Sequence, residues 1–251
     1  MRMKSALTGE IIGPSGAGKS TLSKLLNARD SSIAAGITIW GLPRWILAKS
    51  SLISFPRFVQ MFIKDGSINL ENSKQVIRLH AFYNYFMKSV LRNNTIKGGS
   101  TTDPDSAIFL DEGVVFALSK IRADRQLYGR SMQRWEKNVL DRWSKMLGTI
   151  VWLDAPNAVL IDRVRTRAKN HRMKFKSDGE INEFLTRYRD SYIRTVGRLQ
   201  ERGNLRVLKF DTNERSLESI ADELIDFVGS NRSKATIEAP EMKLSEVKSE
   251  F

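Results

Sequence analysis

Short apolar runs alternate with amphipathic stretches along most of this chain. Residues 7–12 (Leu-Thr-Gly-Glu-Ile-Ile) make a compact apolar run that stops at a glycine, which predicts a short buried strand. Residues 20–28 carry Leu22, Leu25 and Leu26 on one helical face. Residues 36–40 (Gly-Ile-Thr-Ile-Trp) suggest a second strand, closed by Gly41-Leu42-Pro43. An apolar stretch over 44–64 is broken at Pro56, so it predicts two short helices, and 71–91 predicts a longer one. After a polar, Gly-containing loop at 93–106, the run 107–110 leads straight into Asp111-Glu112. Helices are expected at 114–121, 131–147, 157–169, 180–201 and 216–228, with strands at 149–153 and 205–210. Strands that alternate with helices in this way predict a three-layer α/β fold around a parallel sheet. From Ser230 onward the apolar periodicity stops, and 230–251 is expected to be a disordered tail after a domain spanning 1–229.

The loop between the first strand and the first helix carries the clearest chemistry. Gly13-Pro14-Ser15-Gly16-Ala17-Gly18-Lys19-Ser20, with Thr21 next, fits the phosphate-binding pattern G-x-x-x-x-G-K-[ST] in its required strand–loop–helix context. Polyphosphate needs many donors and no side chains in the way. Glycines let the backbone approach, and the amides from Ser15 to Ser20 and the helix N-terminus supply positive potential. Lys19 is placed to reach the β- and γ-phosphates, and the Ser20 hydroxyl to meet Mg2+. The expected cofactors are ATP and Mg2+. The run 107–110 that ends in Asp111 is the strand-plus-carboxylate partner of such a loop, with Asp111 as a second metal ligand.

Composition narrows the field. The chain has no cysteine and two histidines, His80 and His171, so disulfides and thiolate metal sites are excluded. Its 251 residues hold 41 Lys and Arg against 28 Asp and Glu, a net +13. This excess is spread along the chain without the aromatic signature of an RNA binder, which suits phosphorylated substrates better than nucleic acid. No run of 18 apolar residues occurs and no signal-peptide core follows the basic start, so a cytoplasmic address is expected. Arg44, Lys49, Arg57 and Lys64 among large apolar groups leave peripheral membrane contact as a further reading, beside ordinary core helices.

Which nucleotide-binding class this is turns on a cluster of cations. Arg163, Arg165, Arg167 and Lys169, then His171 and Arg172, cluster at the end of a helix. Arginines two apart do not share a helix face, and phosphoryl transfer needs such cations on a closing flap. From the strand Val-Trp-Leu-Asp-Ala-Pro through Asp-Arg-Val-Arg-Thr-Arg, and again at Phe184-Leu-Thr-Arg-Tyr188 and Asp211-Thr212-Asn213, the chain resembles the thymidylate kinase-like branch of the P-loop nucleoside and nucleotide kinases. The resemblance, which also takes in the phosphate loop and Asp111, covers about half of the chain. It implies a nucleotide kinase-like domain with a helical acceptor region over 44–100 and a lid over 163–180. In that reading Arg163 and Arg167 stand at the lid base, Arg172 closes over the phosphates, Asp211 borders the adenine, and Arg78 lies where the family has an acceptor-contacting arginine.

The departures fall on the acceptor side. That family carries Asp-Arg where this chain has Asp111-Glu112-Gly113, and Arg-Glu-Pro where this chain has Trp40-Gly41-Leu42-Pro43-Arg44. The resemblance therefore does not extend to dTMP. Glu112 can accept a proton from an alcohol or can order metal-bound waters and lid arginines; both roles suit paired carboxylates. Arg44 and Arg78 are the candidates for an anionic acceptor. The expectation is an Mg-ATP-dependent kinase of a nucleoside, nucleotide or sugar. A glycan or lipid-linked sugar acceptor, or a P-loop ATPase switch without transfer, are the alternatives. A homodimer is compatible with all of these.

Overall fold

The computed structural model describes residues 7–38, 42, 44–49, 52, 76–84, 106–123, 130–167 and 173–237. Five strands, β1 (Leu7–Ile12), β2 (Ile33–Ile37), β3 (Ala107–Asp111), β4 (Thr149–Asp154) and β5 (Arg206–Asp211), form one parallel sheet in the order β2-β3-β1-β4-β5. Among the described residues eight helical segments accompany it: α1 (Lys19–Arg29), α2 (44–49), α3 (76–84), α4 (Val114–Ala123), α5 (Arg130–Trp143), α6 (Asn157–Thr166), α7 (Asp178–Gln200) and α8 (Leu217–Ile237). Helix α1 packs on β2, β3 and α8, while α4 packs on β1 and α7. The three-layer α/β architecture is as the alternation of apolar runs predicts. Among the described residues no helix is long and apolar enough to cross a membrane.

Register decides where the chemistry gathers. Strand β1 lies between β3 and β4, with Ile11 beside Asp111 and Ile12 beside Trp152, and β4 sets Asp154 beside Asp211. The carboxyl ends of four strands therefore finish along one edge, where α/β folds bind their ligands. The three inner strands are largely apolar because helices cover both faces, and Ile11, Ile108, Phe109, Leu110, Ile150, Val151 and Leu153 are all buried, with Thr8, Glu10 and Thr149 as buried polar exceptions.

The loop after β1 leaves no room for error. Gly13 has φ +148°, and a methyl group built on it would stand 2.1 Å from the Leu153 carbonyl oxygen, which is backbone and cannot swing aside. Gly13→Ala is expected to lower stability by about 3 kcal/mol or more, through strain and overpacking together. Gly197, inside α7 with nothing within 4 Å of such a methyl, should instead gain about 0.5–1 kcal/mol as alanine. Denaturant midpoints of the two variants check the contrast.

Helix α7 carries much of the second layer. A capping box starts it, with Ser177 accepting from the Glu180 amide and Glu180 reaching back to the Ser177 amide. Its inner face buries Ile181, Phe184, Leu185, Tyr188, Tyr192, Val196 and Leu199. Arg189 holds the Asp154 carboxylate with two bonds of 2.8 Å, which ties α7 to the exit of β4. The buried Glu136 of α5 pairs with Arg122 of α4 and Arg198 of α7, so one carboxylate joins three helices.

Four local expectations need correction. The second strand begins at Ile33 and runs to Ile37, where 36–40 is expected, and residues 39 and 40 lie outside the described residues. At this sheet edge, Asn27 both donates to the Ala35 carbonyl and accepts its N–H, at 2.9 and 2.7 Å, and Gly36 at φ +88° brings a bulge. That side-chain pairing cannot be seen in an apolar pattern. The helix expected over 157–169 ends at Thr166, and the one expected over 131–147 ends at Trp143, where turn residues take over. The tail expected from Ser230 is helical as far as Ile237. Gly229 costs a helix only about 1 kcal/mol and is no stop. Residues 238–251, most of the 44–100 region, and 168–172 with His171 and Arg172 lie outside the described residues. Of the apolar groups near the expected acceptor region, Trp45 and Leu52 are 69% and 76% exposed.

Candidate functional site

A cleft of about 500 Å3 opens at the carboxyl edge of the sheet. One wall is the glycine-rich loop after β1 that carries the phosphate-binding pattern: Gly13, Ser15, Gly16, Gly18, Lys19, Ser20 and Thr21 all line the cleft. Gly16 and Gly18 both adopt left-handed backbone, at φ +90° and +92°. A methyl on Gly18 would press against the Leu217 side chain at 2.9 Å, so the start of α8 fits closely behind the loop. Ala17 is fully buried beneath it. Helix α1 begins at Lys19, which directs its positive end into the cleft.

Lys19 folds over its own loop. Its ammonium donates to the Gly13 carbonyl at 2.7 Å and the Pro14 carbonyl at 3.0 Å. Burial pulls its pKa below the ordinary lysine value; the Asp111 and Glu112 carboxylates oppose that and Arg167 adds to it. An ammonium held by carbonyls at the mouth of an amide-lined loop can exchange them for phosphate oxygens without leaving its place.

The facing wall is the exit of β3. Asp111 Oδ2 accepts from the Ser20 hydroxyl at 3.4 Å, and Oδ1 is buried with no hydrogen-bond partner among the described residues. Burial raises the Asp111 pKa, against the lowering effects of Lys19, the Ser20 hydroxyl and Arg167. A buried carboxylate oxygen with nothing to accept from is costly unless a cation or donor meets it. Two oxygen donors side by side, one anionic, suit Mg2+, which keeps most of its waters and arrives on phosphates. Glu112 follows at φ +60°, the sole non-glycine residue with positive φ among those described. Such backbone costs about 1–2 kcal/mol outside glycine and persists where the surroundings over-determine it.

The arginines divide their work. Arg163 donates to the Thr212 hydroxyl and carbonyl, both at 2.9 Å, and to the Gly16 carbonyl at 3.5 Å. Its guanidinium thus ties the β5 exit turn to the phosphate loop. Arg167, at the end of α6, lines the cleft and acts electrostatically on both Lys19 and Asp111. Asp211 ends β5 and accepts from the Asn213 amide at 2.7 Å; it is outside the lining of this cleft but next to the turn that Arg163 grips. Arg44 is exposed and Arg78 half-buried, and neither lines the cleft as described.

The remaining wall holds residues to which sequence reasoning gave no site role, although Phe184 and Tyr188 bound a segment of the resemblance. Phe116 and Lys120 lie one turn apart on α4, and Phe184, Tyr188 and Tyr192 follow at four-residue spacing on α7. Phe184 and Tyr188 have ring centroids 4.6 Å apart, and Tyr188 and Tyr192 6.1 Å. The Tyr192 hydroxyl donates to the Gly13 carbonyl at 3.4 Å. In the sequence an aromatic stripe with helical period looks like core, and here much of it is; only the fold shows that one edge faces the loop.

Beneath both walls sits Glu10, fully buried on β1. Its carboxylate accepts the Val115 and Phe116 amides at 2.9 Å each, yet burial outweighs these bonds and pushes its pKa up to about 7. The native state therefore holds the proton more tightly than the unfolded chain. Stability from this group is present in full below pH 4.5 and is lost as pH rises through about 7, by up to about 3 kcal/mol. Denaturant midpoints between pH 5 and 7.5 should fall with rising pH, and Glu10→Gln should flatten that slope.

No family model matches the chain, and no curated protein matches it. Solved structures do. Deoxyadenosine kinase from M. mycoides, solved with bound dCTP, aligns over 89% of this chain and 100% of its own at 14% identity, with a TM-score of 0.51. The YorR protein from Bacillus subtilis, in complex with phosphorylated GDP, aligns over 90% and 98% at 17% identity, with a TM-score of 0.49. At such identities the likeness to the deoxyadenosine kinase is one of fold: a five-stranded parallel sheet flanked by helices.

Proposed function

We propose that this chain is an Mg-ATP-dependent kinase of a small hydroxyl-bearing acceptor. The observation that carries the reading is the convergence, in one cleft, of an amide-lined loop, the Lys19 ammonium, the Arg167 guanidinium and a buried Asp111 oxygen without a partner. Together they present positive charge, with a seat for a metal, where a γ-phosphoryl group would transfer.

The loop binds the triphosphate through its amides and the α1 N-terminus. Ser20 and Asp111 would hold Mg2+, which supplies charge neutralisation on the β- and γ-oxygens when bound. Lys19 exchanges its carbonyl partners for phosphate oxygens, and Arg167 neutralises the charge that the migrating group spreads over its equatorial oxygens. The acceptor oxygen forms a bond to the γ-phosphorus as the bond to the β–γ bridging oxygen breaks, and ADP leaves. Glu112, next in the chain to Asp111, takes the acceptor's proton.

The acceptor would lie against Phe116, Phe184 and Tyr188, whose ring faces favour a planar ring, with Lys120 for an anionic substituent. A nucleoside or nucleotide answers to both features, and the fold shared with a deoxyadenosine kinase supports that choice. The test is ATP consumption across a panel of nucleosides, nucleotides and sugars, with product mass as readout. A product heavier than its acceptor by one phosphoryl group supports the reading; ATP hydrolysis unaffected by every acceptor, and altered instead by a protein partner, would replace it with a switch ATPase.

A further inference from the structure

We propose that Glu10 is a positioning residue that latches the Asp111-Glu112 turn to the strand carrying the phosphate-binding loop. It rests on the kinase reading and adds a residue outside every motif in the chain.

Glu10 stands three positions before Gly13, and its side chain crosses from β1 to the start of α4. Oε2 accepts the Val115 amide and Oε1 the Phe116 amide, each at 2.9 Å. These are donors that the first turn of α4 cannot satisfy by itself. A few residues before them come Asp111 and Glu112. A side chain at Gly113 would meet the Glu10 carboxylate at 2.8 Å, so turn and carboxylate are fitted to each other.

A helix that needs only a cap obtains one from a serine or aspartate at its own N-cap, in contact with water. Here the cap comes from another strand, and a carboxylate is fully buried to provide it. Burial raises the Glu10 pKa and Asp111 adds to that rise, while the Glu10 carboxylate in turn helps to raise the pKa of the buried Tyr192 phenol. Such a cost is expected where a geometry has to be held. The geometry in question is the φ +60° backbone of Glu112, which needs surroundings that over-determine it, and the short path between Ser20 and Asp111. One side chain on β1 thereby sets how far the metal-facing carboxylate stands from the phosphate loop.

Calorimetric titration with ATP, in EDTA and in Mg2+, separates this role from a purely structural one. Glu10→Gln keeps the shape but turns an NH2 group toward a backbone donor; Glu10→Asp keeps the charge and draws the carboxylate back by one methylene. In both, ATP affinity in EDTA should stay within about threefold of wild type, because the loop amides are untouched. The tightening that Mg2+ brings should shrink about ten- to a hundredfold, the usual penalty for losing a group that orients a metal ligand. Should these variants not fold, Gly113→Ala pushes on the latch from the other side and should give the same split. An undiminished Mg2+ effect in folded variants, or an equal loss with and without Mg2+, would overturn the latch. Wild-type protein that binds no ATP would instead remove the kinase reading itself.

Discussion

Lys19→Ala should lower phosphoryl transfer by about a thousandfold and leave the fold nearly unchanged. Loss of one preorganised charge donor from a site of developing negative charge typically costs a hundred- to a thousandfold, and an ammonium shared between two phosphates belongs at the upper end. The small effect on stability follows from the geometry. The ammonium bonds to two loop carbonyls at 2.7 and 3.0 Å, while burial already depresses its pKa, so the bonds it makes are offset by lost hydration. A change of no more than about 1 kcal/mol in the denaturant midpoint is expected. Turnover within tenfold of wild type, once an acceptor is in hand, would dismiss Lys19 from the transfer step.

Glu112 should show opposite effects on activity and stability. Glu112→Gln removes the proton acceptor and keeps the left-handed backbone, so turnover should fall by about a hundred- to ten-thousandfold with ATP affinity almost unchanged. Glu112→Gly should lose as much activity, yet gain about 1 kcal/mol of stability, because glycine accepts φ +60° without the clash that a Cβ makes. Stopped-assay kinetics and denaturant midpoints on the pair give both numbers. If Glu112→Gln turned over normally, the carboxylate would be serving the metal's waters or the lid arginines instead; if Glu112→Gly were less stable, the strain argument would fail.

Much of the site was legible in the chain because its chemistry is local. The phosphate-binding pattern sets its glycines, lysine and serine within eight residues, so spacing alone suggests it, and the fold brings those residues to one wall of the cleft. Asp111 was legible for a related reason: it closes a short apolar run, and parallel strands put such ends on one edge. The arginine cluster was visible as composition, but its division of labour was not. Arg163 and Arg167 are four residues apart and both line the cleft, but Arg163 is tied to the β5 exit turn, with Thr212 at 2.9 Å, and to the Gly16 carbonyl, while Arg167 acts on Lys19 and Asp111 through its charge. The edge strand was misplaced by three residues because Asn27 completes it from α1, and no apolar periodicity records a side-chain bond to a strand.

What the amino-acid order determined by itself, then, is a parallel α/β chain with a glycine-rich loop that fits the phosphate-binding pattern and a carboxylate pair, since each depends on residues a few positions apart. What only the tertiary structure decided is which distant side chains complete the cleft. Glu10 lies 105 residues from the amide of Val115 that it holds, and Tyr192 lies 179 residues from the Gly13 carbonyl it meets. In the sequence both are ordinary members of apolar elements. Contacts across such separations are set by strand order and helix packing, which bring the ends of β1, β3 and α7 together.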